Sequence, residues 1–187
     1  MPDTIEYHDI EIPASGETAE IAPGIHWLRM PLPFRLNHIN LWLLEDGRGW
    51  TIVDTGVHSE DSIAIWEGLL GGMLAGRPVH RVIVTHFHPD HAGMAGWLCR
   101  RLGVGLWMTQ IEWLHARSLS LDTDPSLLDE QAAFLRVAGC SEELVADTRK
   151  GGLRYPKLSR VMVVIGLKPG TRLAGVRALK ADGVLTY

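Results

Sequence analysis

Residues 82–93 read Val-Ile-Val-Thr-His-Phe-His-Pro-Asp-His-Ala-Gly and hold three histidines and one aspartate within six residues. The β-branched, apolar start of this stretch predicts a buried strand. Because alternate side chains of a strand point to the same side, we expect His86 and His88 to face one point. Asp90 and His91 then lie on the turn into the next helix, and we expect their side chains to point back to the same place.

This cluster of side chains predicts a metal site. Imidazole and carboxylate groups are the ligands that zinc and similar divalent metals take in proteins. The alternative is a histidine-rich turn that binds nothing, but clustered imidazoles repel one another when protonated and gain no packing in return. The predicted metal ligands are therefore His86, His88, Asp90 and His91.

The H-x-H-x-D-H segment resembles the first metal motif of the metallo-β-lactamase superfamily. Upstream, residues 40–47 followed by residues 50–56 are similar to the early hairpin and the Val-Asp-Thr-Gly turn of that family. The resemblance covers about residues 20–120. It implies an α/β protein, an αββα sandwich built from two similar halves, of which these residues would supply the first.

The second half of that fold is matched poorly. The family completes its metal sites with a third histidine, a bridging aspartate and a final histidine, whereas this chain has no histidine after His115. His115 lies on a predicted helix, where a surface or packing role is favoured over a ligand role. We interpret residues 1–187 as a single metallo-β-lactamase-like domain with a truncated or atypical second half and an atypical end over residues 151–187. The chain would be a truncated product or a natural short variant.

The resemblance implies a metal-dependent hydrolase, closest to the hydroxyacylglutathione hydrolases and lactonases. In such enzymes a metal-bound hydroxide attacks a thioester, lactone or related ester or amide. The residues matching His86 and His88 bind the first metal, and those matching Asp90 and His91 bind the second. Asp90 would also orient the hydroxide, which makes it the predicted catalytic residue. The expected cofactor is one or two zinc ions, with iron or manganese as alternatives.

Other interpretations stay open at this point. Persulfide dioxygenases, which are oxidoreductases, carry the same segment and use a single iron, and a non-catalytic remnant of the fold would keep at most one metal. Asp54 either orients a metal ligand or the loop through hydrogen bonds, or is an ordinary turn aspartate. In the apolar loop over residues 31–37, Phe34 and Leu36 suit substrate contact and core packing equally.

Composition and charge narrow the class of partner. With 46% hydrophobic residues and a net charge of −4, the chain is not basic enough to suggest nucleic acid as a partner. The resemblance implies a small-molecule substrate. The acidic N-terminus does not resemble a signal peptide and the apolar run over residues 161–167 is short, so no membrane association is expected. Cys99 and Cys140 form no disulfide framework, which favours a cytoplasmic location. A first-half domain would expose a sheet face, so association with a second copy or with a complementing segment is expected.

Periodicity and end signals predict alternating strands and helices. The predicted strands cover residues 24–30, 39–44, 50–54, 79–85 and 104–108, with residues 79–85 expected to be buried on both faces. The predicted helices cover residues 60–74, a stretch from His91 onward, and residues 109–120, 125–138 and 141–150, with Ser59 and Ser141 as start signals. A further strand over residues 161–165 and a turn over residues 168–171 are expected near the end.

Overall fold

The structure is a computed structural model and describes residues 10–152, 155–159 and 184–186. Its strands are β1 (Thr18–Ala22), β2 (Ile25–Pro31), β3 (His38–Asp46), β4 (Gly49–Val53), β5 (Val79–Ile83), β6 (Leu106–Thr109) and β7 (Val184–Thr186). Its helices are α1 (Glu60–Gly71), α2 (Pro89–Ala92), α3 (Ala95–Leu102), α4 (Gln110–Leu121), α5 (Leu127–Val137), α6 (Glu142–Gly151) and α7 (Tyr155–Leu158). None of these described helices has the length and apolar character needed to cross a bilayer.

The strands form one sheet whose order follows the chain from β1 to β7. Strands β1 to β4 pair antiparallel, and β4, β5 and β6 pair parallel. Parallel neighbours require crossover connections, which α1 supplies between β4 and β5, and α2 with α3 between β5 and β6. The carboxyl ends of β4 and β5 therefore meet at one edge of the sheet. This alternation confirms the predicted α/β class.

One face of the sheet forms the core. Alternate residues of the central strands point to this face and are fully buried, together with side chains from α1 and α3. The largest contributors are Leu28, Leu41, Leu43, Ile52, Val82, Trp66 and Leu98. Cys99 lies in the same core, where burial raises the pKa of its thiol to about 12. The indole nitrogen of Trp66 donates to the carbonyl oxygen of Thr55 at 2.9 Å, which ties α1 to the loop after β4.

The opposite face of the sheet carries a continuous line of apolar side chains. One residue from each of five neighbouring strands stands in register with the next. We call this line the aromatic row: Trp27, Trp42, Val53, Ile83 and Trp107. All five side chains are half-buried. The sheet is therefore apolar on both faces, although only one face is fully covered in the described residues.

Most predicted elements are present with shifted ends. Ser59 and Ser141 cap α1 and α6 as predicted, because each hydroxyl accepts a hydrogen bond from the first helical turn. The helix predicted from His91 is divided into α2 and α3. The expectation that residues 79–85 form a strand buried on both faces is wrong, since β5 ends at Ile83 and its second residue is exposed.

Several expectations concern other parts of the chain. The weak alternation of residues 1 to about 20 predicts a loose lead-in or an edge strand. The edge strand β1 begins within this stretch, at Thr18, and residues 1–9 lie outside the described residues. The strand expected over residues 161–165 and the turn expected over residues 168–171 also lie outside them. Strand β7, which no sequence pattern predicted, pairs antiparallel with β6. Both cysteines are free thiols.

Candidate metal centre

His86 and His88 lie on the loop after β5, at the sheet edge where β4 and β5 both end. Because β5 ends at Ile83, strand alternation does not align them, and that part of the prediction is wrong. The loop turns instead and places Nε2 of His86 3.0 Å from Nδ1 of His88. The two imidazoles therefore face one another as expected, but through loop geometry.

This pair of nitrogens fits a metal ion. Two nitrogen ligands at about 2.0–2.1 Å from a tetrahedral zinc ion lie roughly 3.3 Å apart. The separation of 3.0 Å between the His86 and His88 nitrogens is close to that distance. The chemistry also fits, because imidazole is a common zinc ligand. His86 and His88 together could therefore hold one ion.

The other two predicted ligands lie beside the pair. The imidazole ring of His91 is 3.9 Å from the His86 ring between centroids, and its Nε2 is 3.6 Å from an Asp90 carboxylate oxygen. Within residues 10–152, 155–159 and 184–186, no three His, Cys, Asp or Glu side chains come together in a group that could hold a metal ion. The structure thus gathers all four residues at one edge, and among them the His86 and His88 nitrogens approach each other to within hydrogen-bonding distance.

Asp54 orients His91 through a hydrogen bond with the ring nitrogen Nδ1. Its carboxylate accepts a hydrogen bond from Nδ1 of His91 at 2.8 Å, and further bonds from the backbone N–H and the hydroxyl of Thr85. Asp54 is buried and has a φ of 64°, in the left-handed region that non-glycine residues adopt at a cost in free energy. Both interpretations of Asp54 therefore apply, since it is a turn residue that also orients a predicted ligand.

The pKa values of Asp54, His91 and His86 are shifted by burial and by the neighbouring groups of the site. Burial alone would raise the pKa of Asp54, but hydrogen bonds from His91 and Thr85 outweigh burial and lower it. Burial would lower the pKa of His91, but the hydrogen bond and charge of Asp54 and the charge of Asp90 raise it. The pKa of His86 is lowered by burial and by the neighbouring imidazoles of His91 and His88. A lowered pKa favours neutral His86, the form in which imidazole binds metal.

The loop after β4 is anchored on the segment that carries His91. The backbone N–H and the hydroxyl of Thr55 both donate to the carbonyl oxygen of His91, at 2.8 Å and 2.6 Å. The backbone N–H of Met94 lies 3.1 Å from the Thr55 hydroxyl oxygen and 3.0 Å from the carbonyl oxygen of Gly56. Residues 54–56 and the start of the α2–α3 region therefore form one hydrogen-bonded unit.

Gly93, between α2 and α3, makes this close approach possible. A Cβ atom there would lie 2.3 Å from the carbonyl oxygen of Pro89 and 2.6 Å from those of Gly56 and Leu158. The φ of Gly93 is −59°, an ordinary helical value, so the requirement for glycine is steric. The small residues of this segment predict a close approach to the sheet, but the close approach at Gly93 is to the backbone of Pro89, Gly56 and Leu158, which lie outside the strands.

Two residues of the site, Glu112 and Tyr155, are not among the predicted site residues. Glu112 on α4 accepts a hydrogen bond from the backbone N–H of Phe87 at 2.7 Å, and the Tyr155 hydroxyl on α7 donates to the Phe87 carbonyl oxygen. The sequence did contain a signal, Thr109 followed three residues later by Glu112, but this pattern predicts a capping box in which the glutamate returns to the helix start. Thr109 does cap α4, whereas Glu112 reaches across to the loop.

The remaining candidates lie at the margin of the site. His115 is exposed and stacks on the Phe87 ring at 4.7 Å between centroids, which agrees with the predicted packing role. Phe34 and Leu36 are 40% and 60% exposed, so the core-packing alternative for them is wrong. Their contact with a substrate stays a prediction.

Comparison with known proteins relates the chain to solved structures. A β-lactamase domain protein from Burkholderia ambifaria shares 52% sequence identity with it, covering 59% of this chain and 35% of that chain, with a TM-score of 0.56. A metallo-β-lactamase family protein from Thermus thermophilus is 23% identical and covers 83% of this chain and 49% of that one, with a TM-score of 0.58. The chain therefore spans between about a third and a half of the length of these structures. No curated protein matches it.

The sequence profile of the metallo-β-lactamase superfamily matches residues 35–171. These residues include strands β3 to β6, the loop with His86 and His88, and the helices that hold that loop. Because this match extends over most of the sequence, the chain is a member of the metallo-β-lactamase superfamily.

Proposed function

We propose that this chain is a metal-dependent hydrolase that acts on a thioester, a lactone or a related ester or amide. The observation that carries this proposal is the 3.0 Å approach of His86 Nε2 to His88 Nδ1, beside an imidazole that a buried carboxylate orients. Two facing imidazole nitrogens with a carboxylate-supported third are typical of zinc enzymes. Membership of a family of generally hydrolytic enzymes supports the same reaction type.

Each residue of the site would have its own role. His86 and His88 would hold one ion, with Asp90 and His91 beside it as ligands of that ion or of a second. When bound, zinc lowers the pKa of water to near 7, so that hydroxide is available at neutral pH. The Asp90 carboxylate would accept a hydrogen bond from this nucleophile and orient it toward the substrate carbonyl carbon. Asp54 would keep His91 in a single tautomer and orientation.

Four ligands do not fill two metal sites, although they could hold one ion with water in the open positions.

Metal analysis of the purified chain tests the proposal. After removal of adventitious metal and reloading, the wild type should retain at least one zinc ion per chain, and His86→Ala with His88→Ala should lose most of it. The matched control is His38→Ala with His80→Ala, which removes the same number of imidazoles elsewhere on the sheet and should retain zinc. Equal zinc content in the wild type and the His86/His88 variant would contradict the proposal, and a preference for one iron ion would favour the dioxygenase alternative.

A further inference from the structure

We infer that Glu112 and Tyr155 are positioning residues that clamp Phe87 and thereby set the distance between the His86 and His88 imidazoles. Two peptide groups join these histidines. The N–H of Phe87 belongs to the first peptide group and donates to Glu112 at 2.7 Å, and its carbonyl belongs to the second and accepts from Tyr155. Both peptide groups between the two facing imidazoles are therefore held by side chains from outside the loop.

The clamp is needed because the sheet does not hold this part of the loop. Strand β5 ends at Ile83, so the peptide groups of Phe87 lie beyond the hydrogen-bonded strand pairs. A rotation of either peptide group would move one imidazole relative to the other. Hydrogen bonds to a charged acceptor are shorter and stronger than neutral ones, so the Glu112 carboxylate is well suited to prevent such a rotation.

The side chain of Phe87 is held as well. Its ring stacks on His115 at 4.7 Å and lies 6.5 Å from the Tyr155 ring between centroids. Glu112 and His115 are three residues apart on α4 and therefore share one face of that helix. One helix face thus contacts both the backbone and the ring of Phe87, and Tyr155 on α7 also lies against both.

Conservative variants separate this role from a general structural one. Glu112→Ala removes the acceptor of the Phe87 N–H. Glu112→Gln keeps an acceptor oxygen at the same distance along the side chain, so it should retain most of the wild-type geometry of the loop. Tyr155→Phe removes the hydroxyl donor and keeps the ring. The matched control is Glu143→Ala, which removes an exposed glutamate from the first turn of α6.

The first measurements use metal-free protein and do not depend on the proposed function. In Glu112→Ala the Phe87 amide should exchange with deuterium at least about 10-fold faster than in the wild type, because a charged acceptor is lost. The nuclear Overhauser effect between the His86 and His88 ring protons should weaken in Glu112→Ala and in Tyr155→Phe. Unchanged amide protection and an unchanged ring signal would overturn the clamp, whether or not the protein binds metal.

The second measurement rests on the proposed metal site. Zinc affinity, measured by competition with a chromophoric chelator, should fall roughly 10 to 100-fold in Glu112→Ala, as for other residues that orient ligands. It should stay within about 3-fold of the wild type in Glu112→Gln and Glu143→Ala. The visible spectrum of bound Co²⁺ should change in the alanine variant. Faster amide exchange with unchanged affinity and spectrum would overturn the positioning role, whereas a wild type that binds no metal would contradict only the proposed function.

Discussion

Asp54 and Asp90 are both near the predicted ligands, but their surroundings differ. The side chain of Asp54 is 6% exposed and accepts hydrogen bonds from His91 and Thr85. The side chain of Asp90 is 24% exposed, and the nearest His91 nitrogen is 3.6 Å away. A carboxylate with satisfied hydrogen bonds suits a supporting role, whereas an open one has lone pairs available for a metal or for water.

Substitution of each aspartate by asparagine should therefore give different results. We expect Asp90→Asn to reduce hydrolysis of a chromogenic ester or lactone by about 10² to 10⁴-fold, the usual contribution of a proton-accepting group, with little change in the free energy of unfolding. We expect Asp54→Asn to lower zinc affinity roughly 10 to 100-fold and stability by about 1–3 kcal/mol, because buried donors lose a charged acceptor.

Initial rates, chelator competition and urea unfolding measure these three quantities. Asp61→Asn, at an exposed aspartate in the first turn of α1, is the control and should change none of them strongly. An Asp90→Asn variant with full activity would remove Asp90 from the mechanism.

At the scale of elements, the junction of α2 and α3 decides how closely the loop after β4 approaches. Three backbone carbonyl oxygens surround Gly93 within 2.6 Å of where a Cβ atom would stand. These backbone atoms cannot move away from an added methyl group by a rotamer change, as the end of a flexible side chain can. Gly68, in the exposed middle of α1, has no neighbouring atom within 4 Å of the same point.

We therefore expect opposite effects from the same substitution at these two glycines. Gly93→Ala should destabilise the chain by about 3 kcal/mol or more, because the added methyl group overpacks against the backbone. Gly68→Ala should stabilise it by about 0.5–1 kcal/mol, since alanine has the higher helix propensity. The midpoint of urea unfolding measures both changes. A neutral effect of Gly93→Ala would show that α2 can move away from the loop after β4.

At the scale of the whole molecule, the aromatic row is the notable feature of the sheet. Its five side chains are half-buried and lie on the face opposite the core. Contiguous apolar surface of this kind favours association between molecules. We therefore propose that the chain self-associates through this face.

Replacement of the central tryptophan tests this proposal. Trp42→Lys places a charge within the aromatic row and should shift the molar mass, measured by light scattering, from that of an oligomer to that of a monomer. Phe134→Lys is the control, because Phe134 is 71% exposed on α5, and it should leave the oligomer intact. A wild type that stays monomeric at high concentration would contradict the proposal.

The sequence alone was sufficient for the features that depend on neighbouring residues. The periodicity of apolar side chains, the N-caps at Ser59 and Ser141, and the clustering of His86 to His91 are local properties of the chain. Hydrophobic period and capping act over a few residues, so they can be read from sequence. The α/β class followed from the same alternation of strands and helices.

Tertiary structure decided the geometry of the candidate site. The hydrogen bond between Asp54 and His91 joins residues 37 positions apart, and that between Phe87 and Glu112 spans 25 positions. No local pattern specifies such contacts, and the local pattern at Thr109 pointed Glu112 back to its own helix. The facing of His86 and His88 also arose from a loop that turns after Ile83, not from strand alternation. The sequence determined which side chains are available for chemistry, whereas the packing of α4, α7 and the loop after β4 decided where they meet, because contacts between distant segments form only when the elements pack together.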